Sequence, residues 1–402
     1  MKKFNLNSIL FAFVMVFILV GLHGQCFVHL KGAAHDLLTA VRQGDARGVM
    51  DFRSAVDEIS NEDLSYHSAM MDVDSLKNNL LGTRIVSKDG TTVVKADSGS
   101  LIDRVDPVSD EEIRKSVECL QALEAAAEEN GAGFLYCAAP KKELYETAPP
   151  NAENAFPDNY DRLLQALDAA GIPTLDLSAA LKESGVPDSE IFYYTDHHWT
   201  ARSGFLAANA VCKRLSSLYG FPYNEEYADL GNYTVTTYPD WFLGSKGKTV
   251  GTYFTWRGAD DFELITPNFE TSLTEEQPFK DRTRQGAFED TVLYLSNMKK
   301  DYYHISSYAT YSGGDYRLQI MTNLLNPNGK KILLVRDSFA CVVAPFLALQ
   351  TGELHICDVR NNSSYVGEKL NLEEYIREIR PDCVIVLYSG VAGTGGGKFN
   401  FF

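Results

Sequence analysis

The sequence predicts an α/β domain in which a mostly parallel sheet is flanked by helices. Three observations carry this. Strand-like and helix-like segments alternate from 110 to 220, and the same alternation resumes after 330. Between them, residues 221–330 form a tract rich in Tyr, Thr, Gly and Asp. At 402 residues the chain is long enough for one large domain plus appendages.

The elements follow in chain order. Lys2 and Lys3 precede an apolar run from Ile9 to Leu22, and no small-x-small cleavage motif follows it. This predicts an uncleaved signal anchor over 1–26, a single pass in the cell membrane, with the rest of the chain outside. Residues 27–82 are polar, tolerate helix and lack a clean period, so they read as a membrane-proximal stalk. The main domain then spans 83–402. "TRIVSKDGTTVVKADSGSLI" is a hairpin turning at Asp89-Gly90. Asp110 opens a helix through "EEIRKSVECLQALEAAAEENG", closed by Gly131. "GFLYCAAP" is a buried strand, followed by a helix over 158–170, the short strand "IPTLDL" and a helix near 178–184. Thr200 N-caps a helix whose Phe205, Leu206, Ala210 and Leu215 recur at helical spacing, and Gly220 ends it. Residues 221–330 read as a β-rich insertion, the kind of segment that wraps a site. After it come strand "KKILLV", helix "FACVVAPFLALQ", strand "ELHICDV", a helix over 372–380 and strand "DCVIVLYS", then a glycine-rich tail.

Composition narrows the function. A net charge of -17 argues against nucleic acid and against docking on anionic lipid. The seven cysteines contain no CxxC pair and read as small core residues, with one disulfide at most.

Two stretches carry chemistry. "KKILLVRDSFACVV" is an apolar strand that ends abruptly at Arg336-Asp337-Ser338 and passes into a helix. A serine at such a turn, on the carboxyl edge of a parallel sheet, is where hydrolytic nucleophiles sit; an ordinary N-cap is the simpler alternative. "YYTDHHWTARSG" places Asp196, His197, His198 and Trp199 in a row. In an extended segment Asp196 and His198 would share one face while His197 points away. A carboxylate beside an imidazole fixes its tautomer, as a general base requires. Asp and His also suit zinc, but no HxxxH or HExxH supplies further ligands, so no metal and no cofactor is expected. Lys141, Lys142, Lys246 and Lys248 read first as solvated loop lysines, with contact to an anionic glycan as the alternative.

Together these pieces, with "FLYCAAPKKELY", "DWFLGSKGKTVGTYF" and "DCVIVLYSG", resemble the DHHW protein family over roughly 85 to 390. That family belongs with the SGNH-hydrolase-like proteins of alginate and cell-wall polysaccharide O-acetylation. The resemblance implies an SGNH-hydrolase-like, flavodoxin-like fold in a membrane-anchored, extracytoplasmic O-acyltransferase. Its partners would be a cell-surface glycan and a membrane-bound O-acyltransferase that supplies acetyl. By motif, Ser338, His198 and Asp196 correspond to the family's catalytic residues. Arg336 stands where SGNH enzymes have glycine, and their separate Asn donor has no counterpart here. Gly314, in "SGGDYR", is the candidate oxyanion donor. Trp199, His197 and Arg336 join it as candidate substrate-binding residues, although a buried aromatic beside the dyad is the simpler reading of Trp199 and a structural hydrogen-bonder that of His197. A carbohydrate acetylesterase and a non-catalytic glycan-positioning partner are the alternatives.

Overall fold

The structure, a computed structural model, describes residues 67–88, 90–360, 367–390, 399 and 401. The expected signal anchor, nearly all of the stalk and most of the glycine-rich tail lie outside the described residues. Helix α1 (His67–Leu80) belongs to a unit of its own. Among the described residues no helix is long and apolar enough to cross a membrane.

The second unit begins at Leu81. Strands β1 (Ile85–Lys88), β2 (Thr91–Lys95) and β3 (Leu101–Asp103) form a small antiparallel sheet. Helix α2 (Asp110–Glu129) starts at a capping box, in which Ser109 and Glu112 satisfy each other's orphan N–H groups. Strand β4 (Gly133–Ala139), helix α3 (Phe156–Ala169), strand β5 (Thr174–Asp176) and helix α4 (Leu177–Glu183) follow. Helix α5 (Ala201–Tyr219) is capped by the Thr200 side chain and stopped by Gly220 at φ 64°, in the left-handed region. Next come β6 (Tyr233–Phe242), α6 (Ser245–Val250), β7 (Asp260–Pro267), β8 (Leu273–Gln277), β9 (Arg282–Gly286) and β10 (Leu318–Asn323). The chain closes through β11 (Lys331–Arg336), α7 (Ala340–Gln350), β12 (Glu353–Cys357), α8 (Leu372–Ile379) and β13 (Cys383–Ser389).

Eight strands make the central sheet in the order β5-β4-β13-β11-β12-β10-β8-β9. From β5 to β12 every pair is parallel; β10, β8 and β9 continue it antiparallel. The central strands are buried on both faces, so they read as unbroken apolar runs. Along β11, Ile332 and Leu334 enter the core beneath α5 and α7, while Leu333 and Val335 enter the core beneath α2, α3 and α8. A Cβ on Gly204 of α5 would come within 2.6 Å of Val342 of α7, so glycine permits the close helix–helix approach behind the site.

The 221–330 tract is β-rich, but it is not all an insertion. Only β6 and β7 form a separate ribbon; β8, β9 and β10 extend the main sheet. The pairing joins residues remote in sequence, such as Thr322 with Glu353, which leaves no local pattern to read. The six described cysteines are free, and five of them are buried.

Candidate active site

Strand β11 delivers Ser338 to the carboxyl edge of the sheet. Asp337, buried in the turn, accepts from Phe339 N (3.0 Å) and from the backbone N and hydroxyl of Ser389 (2.8 and 2.7 Å). It thereby ties the turn to the end of β13. Ser338 is only partly buried, whereas Arg336, Asp337, Phe339 and Ala340 around it are fully buried. The hydroxyl is the one side chain of this turn that solvent or a substrate can reach.

In the facing segment, residues 194–198 make bends rather than a strand, between Phe192 and Trp199, which pair in an isolated bridge. The segment's conformation is set by two buried charges. Lys142, past the end of β4, donates to the carbonyls of Tyr193 (2.8 Å), Tyr194 (3.0 Å) and Asp196 (2.6 Å). Asp260, at the start of β7, accepts from Tyr194 N (2.5 Å), Thr195 N (2.9 Å) and Thr195 Oγ1 (2.5 Å). A cation thus holds the segment's carbonyls and an anion holds its N–H groups. Burial pushes Lys142 down to about 8 and Asp260 up to about 6, so both are charged at neutral pH.

The segment presents three groups in line. Asp196 Oδ1 lies 2.5 Å from His198 Nδ1, and His198 Nε2 lies 2.7 Å from Ser338 Oγ. The carboxylate accepts from Nδ1–H, which leaves Nε2 free to accept the serine proton. Asp196 also accepts from His198 N (2.9 Å) and Ser245 N (2.6 Å). Burial alone would raise the Asp196 carboxyl; the His198 imidazole and the Ser245 N–H that bond to it outweigh this and hold the group well below the usual carboxylate range. Asp196 is therefore ionised, as the partner of an imidazolium must be. Asp196, His197 and His198 bring metal-binding atom types within 4.8 Å of one another. Asp196 and His198 are engaged in the hydrogen bonds of the relay, and His197 Nδ1 pairs with Ser245 Oγ.

Gly244 permits this geometry. A Cβ there would lie 2.2 to 2.5 Å from the Cβ, Cα and N of Asp196. The clash is with backbone, which cannot swing aside. Gly244→Ala is expected to displace Asp196, with turnover falling at least ~10-fold and stability by about 1–3 kcal/mol. Unchanged kinetics and an unchanged melting temperature would contradict the close approach.

Four expectations need correction. His197 does not point away: the segment is bent, and its ring meets that of His198 at 3.8 Å between centroids, while Nδ1 pairs with Ser245 Oγ at 2.9 Å. Trp199 is fully buried, the simpler of its two readings, so it does not floor a sugar site; its Nε1 donates to Phe339 O at 3.0 Å, bracing the serine turn. Arg336 is 1% exposed and reaches no substrate. Its guanidinium is engaged by Asp315 and by Gly314 O (2.8 Å), so it anchors the turn that carries Gly314. Among the loop lysines, Lys142 and Lys246 are buried. Lys246 pairs with Asp103, and Lys248 donates to Ile305 O at 2.8 Å. Sequence reasoning missed Asp260, Gly244 and Tyr308, and took Lys142 for a solvated loop lysine. The only available signal was the position of Lys142 just past a strand end.

Residues 100–239 match the family model described as "SGNH hydrolase-like domain, acetyltransferase AlgX". That stretch contains Asp196, His197 and His198 but stops short of Ser338. No curated protein sequence matches the chain. Among solved structures, the chain is similar to PatB1 of Bacillus cereus, with a TM-score of 0.61 and 20% identity over 79% of this chain and 99% of that one. A second PatB1 structure, with a sulfonyl adduct, gives 0.62 and 19% identity over 79% and 99%. A DHHW family protein from Eubacterium siraeum gives 0.58 and 19% over 79% and 96%. Residues 100–239 are thus similar to an SGNH-hydrolase-like domain, and the chain shares its fold with PatB1 and the DHHW protein.

Proposed function

We propose that this chain is an extracytoplasmic O-acyltransferase that moves acetyl groups onto hydroxyls of a cell-surface polysaccharide. One observation carries the reading: Ser338 Oγ sits 2.7 Å from His198 Nε2, with ionised Asp196 behind the ring. That is the arrangement of an activated serine nucleophile. Ser338 attacks the acetyl carbonyl as His198 takes its proton. The N–H of Ser338, ahead of α7, and Gly314 in the adjoining turn are the proposed oxyanion donors. The tetrahedral intermediate collapses, His198 protonates the leaving group, and the acetyl group stays on Ser338. A glycan hydroxyl then attacks while His198 takes its proton, and the bond from acetyl to Ser338 Oγ breaks as His198 returns that proton to the serine.

The family description names an acetyltransferase, which supports acyl transfer over other serine chemistry. A membrane-bound O-acyltransferase is the proposed acetyl donor, and the proposed tether is the N-terminal apolar segment, in the cell membrane. Incubating the full chain with a chromogenic acetyl ester should leave an acetyl group on the Ser338 peptide, read by mass spectrometry. A sulfonyl fluoride should block that labelling. Adding acetylatable oligosaccharide should divert acetyl from water to sugar; turnover with no diversion to any glycan would make the protein an esterase. Acetylation elsewhere, with Ser338 untouched, would end the serine mechanism.

A further inference from the structure

The second histidine and a tyrosine from the β-rich tract close both faces of the proposed base. The His198 ring stacks on Tyr308 with centroids 3.9 Å apart and planes 12° from parallel. On the other side the His197 ring lies at 3.8 Å, tilted by 37°, and Phe339 approaches at 5.1 Å. The Tyr308 ring is fixed from its far end, where its hydroxyl reaches the carbonyls of Ser338 and Phe339, each at 3.2 Å. The platform under the imidazole is thus bolted to the backbone of the nucleophile itself.

This enclosure has an electrostatic consequence. His198 is 8% exposed, so water is removed from the faces of its ring. An imidazolium formed there loses hydration on both sides, and Asp196 compensates only at one edge. Aromatic faces carry the negative lobe of the ring quadrupole and attract a cation stacked on them. His197 can act as such a face because burial, and then the charge of His198, push its own imidazole down to about 3; it remains a neutral ring.

We propose that Tyr308, with His197 opposite, is a positioning residue that stabilises the His198 imidazolium through its ring face and holds the imidazole in line with Ser338. The proposal rests on the acyl-transfer reading for its place in catalysis, but the stacking itself does not. Two other charges act on this imidazole, Asp196 at its edge and Asp315, itself paired with Arg336, in the adjoining turn; Lys246 and Asp103 act on His197, Lys248 on Asp196 and Asp337 on Tyr308. A test must leave all of these unchanged.

Replacing Tyr308 by phenylalanine and by increasingly fluorinated phenylalanines does so, because shape is kept while the ring face loses its negative potential. His198 is titrated by NMR in the full chain with labelled histidine, its signal identified by its loss in His198→Gln. Relative to Tyr308→Phe, the pentafluoro ring should lower the His198 midpoint by about half to one unit, with intermediate rings between. The acid limb of acetyl-ester turnover should move with it. A midpoint constant within about 0.2 unit across the series overturns the proposal. Midpoints that move in a protein whose Ser338 never becomes acetylated would retain the stacking and reject acyl transfer.

Discussion

Ser338→Ala is expected to abolish acetyl-ester turnover, lowering kcat by roughly 10⁴- to 10⁶-fold, while the unfolding transition stays in place. The hydroxyl is the attacking atom, and its hydrogen bond is to His198 at 2.7 Å. Removing it from a partly exposed position costs stability only about 0.5–1.5 kcal/mol. His198→Ala should be nearly as damaging, and the double variant hardly worse than either, because the groups act as a unit. Asp196→Asn should fall by about 10⁴-fold. Here the amide cannot accept both from His198 Nδ1–H and from the Ser245 N–H, which Asp196 now serves with separate oxygens. His197→Ala should cost less than any of these, since that imidazole touches the ring of the base and not the reacting atoms. Turnover that survives Ser338→Ala but not His197→Ala would reverse the assignment of the two histidines.

Much of the scaffold was legible because it depends on local chemistry. The Thr200 cap, the Gly220 stop and the apolar run of β11 each leave a mark within a few residues. The Asp196–His198 pair was readable for the same reason, as was a serine at an abrupt strand end. What supports the site was hidden because it depends on distance. Lys142 is remote in sequence from the carbonyls it binds, and in the sequence it is one of two adjacent polar residues at a loop. Tyr308 lies in a tyrosine-rich tract in which nothing distinguishes the ring that stacks on His198. Alternation misplaced His197 because two buried charges, rather than a β ladder, hold its backbone. Arg336 was assigned to substrate by chemical type, as was Trp199 in one of its two readings, yet each braces the turn that carries the serine or its neighbours.

Lys142→Met is expected to destabilise the domain by about 3 kcal/mol and to reduce turnover at least ~100-fold, although methionine matches the stem of lysine in length. Two effects oppose each other. Burial lowers the ammonium from 10.5 to about 8, so keeping it charged at neutral pH costs about 3 kcal/mol, which methionine would relieve. Against this, the carbonyls of Tyr193, Tyr194 and Asp196 would lose their shared donor. Each orphaned acceptor costs about 1–3 kcal/mol, so three of them outweigh the relief. Asp260 would lose a nearby cation as well, and its carboxyl, already raised to about 6, would rise further. The pH dependence separates this account from simple loss of packing. A lysine with a depressed folded-state value contributes stability that is present above 10.5 and lost as pH falls towards 8. Between those limits the wild type should gain up to about 1.4 kcal/mol per pH unit from this group, and Lys142→Met should lack that gain. The stability gap between the two proteins should therefore widen as pH rises from 8. Denaturant melts at pH 7, 8 and 9 measure it. A gap that is absent at pH 7, or that narrows above pH 8, would mean that the ammonium does not hold the Tyr193–Asp196 backbone in place.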